Sequence, residues 1–343
     1  MDASFQAPER NGFRYPLFRR NDRPLPAEWE GSLYVWDIDN TYLITEWKGL
    51  RDLLRIRFED ALDKRPVPGA VPLLRGLGDS EQDPERRPAI HFVSASPHTM
   101  REVLERRMLI DGVVHDGISF RDWGALRYLR DVFGYKIVAL LLLRRETPPG
   151  AREVLFGDDR EHDPWVYSLY SRICAGELRG EELREVLESQ RVRSAAAAYA
   201  VALADELPRR DPVDWIFIRR LRKKKATSSP AEGAEGEGEE PASERRRRRS
   251  TTRRRRRPKP PGQLDARLVE VEDYGQAAAV LFAAGRLRAE DLRAVVAEVA
   301  AAGDSHPPLA ALERLGAFGA DDLERARAAL AEDPGEAPQE EAE

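Results

Sequence analysis

The amino-acid sequence predicts an α/β domain built on a parallel β-sheet. Short apolar runs at Ser32–Trp36, Ala89–Val93 and Glu153–Phe156 read as strands, and stretches of helical apolar spacing separate them. Strands alternating with helices imply parallel βαβ units. Each run ends in chemistry-bearing residues, led by Asp37, Ser94 and Asp158, and functional groups gather where the strands of open sheets end.

The elements follow in chain order. Residues 1–30 are polar and rich in Arg and Pro, and are expected to form a loosely ordered lead-in. A domain over 31–220 begins with the strand Ser32–Trp36. Trp47–Leu62 has helical spacing through Leu50, Leu53, Leu54, Phe58 and Leu62. Pro66–Gly69 breaks it, and Ala70–Leu77 restarts a helix. After the strand Ala89–Val93, His98–Leu109 places Met100, Val103, Leu104 and Met108 on one helical face. Val113, Val114, Ile118 and Phe120 suggest strand-like pieces around a turn at Asp116-Gly117. Lys136–Arg145 reads as a helix and Glu153–Phe156 as the third strand. Pro164–Cys174, Glu181–Ser189 and Ser194–Leu207 read as helices, and Val213–Ile218 as a further strand.

Composition then shifts. Arg219–Lys225 is basic, Glu232–Glu240 is acidic, and Arg245–Arg249 and Arg253–Arg257 are arginine runs. With almost nothing apolar to offset the entropy of ordering, 221–262 is expected to be a disordered linker. Leu264–Val271, Tyr274–Ala284, Ala289–Ala302, Pro308–Leu315 and Asp321–Leu330 read as short amphipathic helices, predicting a small all-α module over 263–332. An acidic tail, 333–343, follows.

The 343 residues are 41% hydrophobic, enough for a sizeable core, and 34% charged. The net charge of -5 hides opposing local blocks, so no partner follows from the total. Cysteine occurs once, as Cys174, which rules out a disulfide framework within the chain and fits a reducing compartment. The N-terminus lacks the basic start and apolar stretch of a signal peptide. The runs Ile137–Leu143 and Ala195–Ala204 fall short of the ~20 apolar residues that span a bilayer. A soluble, cytoplasmic protein with no transmembrane segment is expected.

The sequence LYVWDIDNT sets Asp37, Asp39 and Thr41 directly after a strand. Of two carboxylates so spaced, one can attack phosphorus and the other can protonate the leaving oxygen and later activate water. Ser94 can offer a hydroxyl and a backbone N–H to a phosphoryl oxygen. Lys136 can place a cation against developing charge. Asp158, Asp159 and Asp163, in GDDREHD, are hard oxygen ligands suited to Mg²⁺.

The order DxDxT, Ser, Lys, acidic cluster resembles the four-motif signature of the haloacid dehalogenase superfamily from about Ser32 to Ile218. That resemblance implies a Rossmann-like parallel sheet with Asp37 as nucleophile and Asp39 as acid/base, a role that dehalogenases and phosphonatases leave unfilled. It implies Thr41, Ser94 and Lys136 on the phosphoryl group. Mg²⁺ would sit on Asp37, the backbone carbonyl of Asp39 and Asp158, with Asp159 or Asp163 as the second acid of the fourth motif. DIDNT, VSASP, FRDW and GDDREHDPWVY further resemble the catalytic domain of the actin-patch phosphatidate phosphatase family. Asp159 and Arg160 stand where that family's GDSGxxDPxxY motif has Ser and Gly. The spacing from Thr41 to Val93 and from Pro97 to Lys136 leaves no room for a large cap. An open site suits phosphate on a large or surface-bound substrate: a phosphatidate-like lipid, with a nucleic-acid end or a phosphoprotein as the alternatives. A non-catalytic scaffold with a polyanion-binding linker is a further reading. Arg245–Arg257 can engage an anionic membrane surface or nucleic acid, or act as a solvated tether. His91 reads as a core histidine; His98 and His162 lie near the proposed site loops.

Overall fold

The structure, a computed structural model, describes residues 5–10, 12–45, 65–81, 83, 85–128, 130–221, 260–303 and 305–332. The expected helix Trp47–Leu62, the arginine runs and the acidic tail lie outside the described residues, as does the expected linker apart from its ends.

The described strands are β1 (Phe5–Gln6), β2 (Leu17–Asn21), β3 (Ser32–Trp36), β4 (Ala89–Pro97), β5 (Gly117–Arg121), β6 (Arg152–Asp158), β7 (Val213–Arg219) and β8 (Leu268–Val271). They form one sheet in the order β1-β2-β5-β4-β3-β6-β7-β8. Strands β3 to β8 pair in parallel, while β2 runs antiparallel to β5 and β1 antiparallel to β2. The helices are α1 (Ala70–Gly78), α2 (Arg101–Ile110), α3 (Val132–Glu146), α4 (Asp163–Ala175), α5 (Gly180–Ser189), α6 (Ser194–Glu206), α7 (Tyr274–Ala283), α8 (Ala289–Ala301), α9 (Ala310–Leu315) and α10 (Ala320–Ala331).

Successive strand residues point to opposite faces, and both faces are covered, so the central strands read as continuous apolar runs. Leu33, Val35, Val93 and Leu155 pack with α3, α4, α5 and α6. Tyr34, Trp36, Phe92 and Phe156 pack with α1, α2 and the helices α7 to α10. On that second face Trp36 stacks on Phe156 at 4.0 Å, and Phe156 on Phe217 at 5.2 Å. Helix α3 is buried on every side from Phe133 to Leu143, which is why that stretch is apolar apart from Lys136 rather than striped.

Four expectations are corrected. The N-terminal segment is not merely a loose lead-in, because β1 and β2 extend the sheet. Their polar composition hides an alternation in which Leu17 and Arg19 turn inward. Arg19 is buried, and its guanidinium is paired with Glu146 at the end of α3. Leu264–Val271 is not a helix: its last four residues are β8, with Val269 and Val271 buried and Glu270 exposed, a two-residue period. The rest of the segment 263–332 is helical as expected, so only its all-α character is corrected. The described residues from 260 to 332 fall in one compact unit with those described before 222, and α7 to α10 share the apolar cluster of α1 and α2. Helix α3 begins at Val132, four residues ahead of its expected start, under the N-cap Asp131, which accepts from the Gly134 N–H at 2.9 Å.

Candidate active site

From β3 the sheet grows through β4 and β5 in one direction, then through β6, β7 and β8 in the other. Parallel sheets open a crevice at such a reversal, outside the carboxyl ends of the strands. Asp37 follows β3 and Asp158 ends β6, so the two acids flank the reversal. The Asp37 N–H still donates to the Phe156 carbonyl at 2.9 Å, which extends the β3–β6 pairing into the site.

Beyond Asp37 the chain turns tightly. The N–H groups of Tyr42 and Leu43 donate to the Ile38 carbonyl at 3.0 and 2.9 Å, and Asn40 takes the left-handed conformation with φ 59. Two residues that sequence reasoning missed fasten this turn. The Arg219 guanidinium, at the end of β7, donates to the Asn40 carbonyl at 2.9 Å. The Tyr274 hydroxyl, on α7, donates to the Thr41 carbonyl at 2.7 Å. Neither sits in a local motif, so only the fold brings them there.

Asp37 and Lys136 are both 1% exposed, with Lys136 Nζ at 3.0 Å from Asp37 Oδ1. Thr41 Oγ1 stands 3.5 Å from Asp37 Oδ2. Lys136 Nζ also pairs with Asp163 and, at 3.0 Å, with Glu161. Asp39 turns its carboxylate elsewhere: it accepts from Thr45 Oγ1 at 2.9 Å and from Ser96 Oγ at 3.0 Å. Ser94 is fully buried, and its Oγ accepts from the Ser96 N–H at 3.1 Å. Ser96 is thus a site residue that the sequence held in plain view, two positions beyond Ser94 in VSASP.

Of the acids in the β6–α4 loop, Asp163 rather than Asp159 joins the cluster. Asp159 is exposed and accepts from the Leu221 N–H at 2.9 Å. Asp163 is buried in the first turn of α4, where Pro164 suits the first helical position. The Asp163 carboxylate accepts from the Asp158 N–H at 3.2 Å. Gly157 permits this approach, since a Cβ there would lie 2.5 Å from Asp163 Oδ2. Asp158 Oδ1 accepts from the N–H groups of Arg160 and Glu161 at 2.6 and 3.3 Å. His98 and His162 are exposed beside the site loops, and His98 rests on Phe18 at a ring separation of 4.0 Å. His91 is a buried core residue, and burial lowers its pKa to about 3.

Asp37, Asp158 and Asp163 each offer a carboxylate oxygen, all within 4.8 Å of one another. Ligand oxygens of an octahedral Mg²⁺ stand about 3 Å apart when adjacent and about 4.2 Å when opposite, so the set lies near that span and needs a small closing movement to meet one ion. Asp158 Oδ2 is buried and has no hydrogen-bond partner among the described residues, as a ligand atom held for a cation would be. Charge argues the same way. Burial raises the pKa of Asp37, Asp39 and Asp163, and lifts that of Asp158 to about 7. Burial also opposes the charge of Lys136, yet Asp163, Asp37 and Glu161 together hold its pKa well above the ordinary value. A second positive charge would relieve the crowded carboxylates. The residues present fit a divalent ion bound by hard oxygen donors.

Residues 33–179 match the family model of the phosphatidate phosphatase APP1 catalytic domain. The chain resembles that family over this stretch, which covers β3 through α4 and so every acid of the cluster as well as Ser94 and Lys136. The match marks the domain as phosphatase-like. No curated protein and no solved structure matches the chain.

Proposed function

We propose that the protein is a Mg²⁺-dependent phosphomonoester hydrolase of the haloacid dehalogenase type, working through an aspartyl-phosphate on Asp37, with a phosphatidate-like lipid as substrate. The observation that carries this reading is the convergence of Asp37, Asp158 and Asp163 at the sheet reversal, with Lys136 paired to Asp37 and Asp163. The lipid substrate rests on the family match.

In the first step an Asp37 carboxylate oxygen attacks phosphorus as the bond to the leaving oxygen breaks. Asp39 gives that oxygen a proton. Burial favours the protonated form of Asp39 despite the hydrogen bonds from Thr45 and Ser96, so a carboxylic acid is available there. In the second step water attacks the aspartyl-phosphate, its proton passes to Asp39, and Asp37 leaves as a carboxylate with release of phosphate. Lys136 holds Asp37 in place and remains cationic throughout. Asp37, Asp158 and Asp163 would hold Mg²⁺, which when bound supplies charge neutralisation to the phosphoryl oxygens. The turn fastened by Arg219 and Tyr274 fixes the spacing of Asp37 and Asp39, an orientation on which rate depends steeply.

A panel of phosphatidate in mixed vesicles, a generic aryl phosphate and 5′-phosphorylated DNA, each with Mg²⁺ and with chelator, tests both levels of the proposal. Release of phosphate from the lipid and the aryl ester, only with Mg²⁺, is expected. Hydrolysis of DNA ends in preference to lipid would overturn the substrate, and turnover in chelator would overturn the mechanism.

A further inference from the structure

Lys136 carries three N–H donors, and a lysine ammonium has no more. Three carboxylates crowd its ammonium: Asp163, which accepts a hydrogen bond, and Asp37 and Glu161, each paired with it by charge at 3.0 Å through an oxygen that accepts no hydrogen bond among the described residues. A phosphoryl oxygen arriving at Asp37 would therefore meet three anionic side chains already packed around the lysine meant to receive it. One partner has to leave. Asp37 has to stay, because its attack defines the reaction as proposed above. Asp163 has to stay as well: it is fully buried, starts α4 and accepts from the Asp158 N–H.

Glu161 differs on each count. Its side chain is 26% exposed, against 1% or less for the other two. It lies outside the trio whose oxygens converge within 4.8 Å. It belongs to the short loop between β6 and α4, bounded by Asp158 and Asp163, so it can turn outward without moving a strand or a helix. Its charge resembles that of a phosphoryl oxygen, and two anions would repel each other strongly beside a single buried cation.

Resting on the phosphohydrolase reading, we propose that Glu161 is a phosphoryl surrogate: its carboxylate pairs with Lys136 in the resting site and is displaced when a phosphate-bearing substrate binds. Glu161 thereby sets a threshold for anion entry. A phosphate ester must outcompete a carboxylate already in place, so weakly charged esters and simple carboxylates are disfavoured. The residue is conspicuous because the other acids of GDDREHD are accounted for. Asp158 and Asp163 join the acid cluster, and Asp159 faces outward to the Leu221 N–H.

The test is binding of inorganic phosphate to the full chain in the presence of Mg²⁺, by calorimetry, alongside the KM for an aryl phosphate. Glu161→Gln keeps the size of the side chain but removes the competing charge. It is expected to bind phosphate roughly tenfold more tightly than wild type, a shift of about 1.4 kcal/mol, and to lower KM in parallel. Glu161→Ala, which clears the position entirely, should change both quantities in the same direction and guards against a local rearrangement in the first variant. If both variants bind phosphate no better than wild type while wild type hydrolyses the aryl ester, the surrogate role is wrong and the phosphohydrolase reading stands. If neither wild type nor variants bind phosphate or turn over the ester, both readings fall together.

Discussion

Asp158→Asn separates the metal argument from the folding argument, because the two predict opposite signs. In the metal-free protein, burial, followed by the neighbouring Asp163, raises the Asp158 pKa from 3.8 to about 7. A group whose folded pKa is raised gives stability that is whole below the unfolded pKa and is lost as pH rises through the folded one. Here the loss runs from about pH 4 to about pH 7. The interval of roughly three units corresponds to an upper bound on the order of 4 kcal/mol. Asparagine keeps the acceptor for the Arg160 and Glu161 N–H groups without the charge. At pH 8 in chelator, Asp158→Asn is therefore expected to melt higher than wild type by several degrees, since 1 kcal/mol moves Tm by roughly 2–4 °C in domains somewhat smaller than this. At pH 5 the two should nearly coincide.

Added Mg²⁺ should reverse the order. At a hundredfold excess over its dissociation constant, a ligand that binds only the folded state stabilises it by about 2.7 kcal/mol. Wild type should gain most of that, and Asp158→Asn, which lacks one of three acidic ligands, should gain little. Calorimetric melting at pH 5 and pH 8, with Mg²⁺ and with chelator, reads all four conditions. A wild-type Tm that ignores Mg²⁺ at pH 8, or an equal rise in the variant, refutes the assignment of the site to a divalent ion.

Three further outcomes are expected. Asp37→Asn should abolish aryl-phosphate turnover without lowering Tm, and measurable turnover would remove Asp37 from the nucleophile role. Tyr274→Phe takes away the 2.7 Å donor of the buried Thr41 carbonyl, so it should lower stability by about 1–3 kcal/mol and reduce kcat; denaturant unfolding and steady-state kinetics that both match wild type would deny Tyr274 its part in the site. Deleting Arg245–Arg257 should weaken binding to anionic vesicles at low salt while aryl-phosphate hydrolysis persists, because every residue of the proposed site lies outside that stretch; unchanged vesicle binding would leave the arginine runs as a spacer.

How much of this was legible in the sequence follows from where each signal lies. Strands β3, β4 and β6 are covered on both faces, so their apolar runs stand out, and the residues at their ends announce themselves by chemistry. Asp37, Ser94 and Asp158 stand out for that reason, and Lys136 by its place at an expected helix start. The choice between Asp159 and Asp163 was not legible. Both are acids in one loop, and only the start of α4, together with the absence of a side chain at Gly157, turns Asp163 inward. The edge strands were missed because their alternation is carried by few residues: Leu17 and a buried arginine in β2, two valines in β8.

The largest omission has the most to say about function. Composition placed a boundary at the charged linker, and a boundary in composition was read as a boundary in structure. The chain after it returns to the sheet edge as β8 and lays α7 over the aromatic row, with Tyr274 at 5.4 Å from Trp36. The residue that ends this row, Trp36, immediately precedes Asp37. Tyr274 thus touches the nucleophile segment twice, through its ring on Trp36 and through its hydroxyl on Thr41. Long-range contacts of this kind leave no local pattern, since neither partner constrains the residues beside the other. The same contacts make the C-terminal segment part of what holds Asp37 and Asp39 in register, which is why conservative loss of one phenolic hydroxyl on α7 is expected to register in kcat.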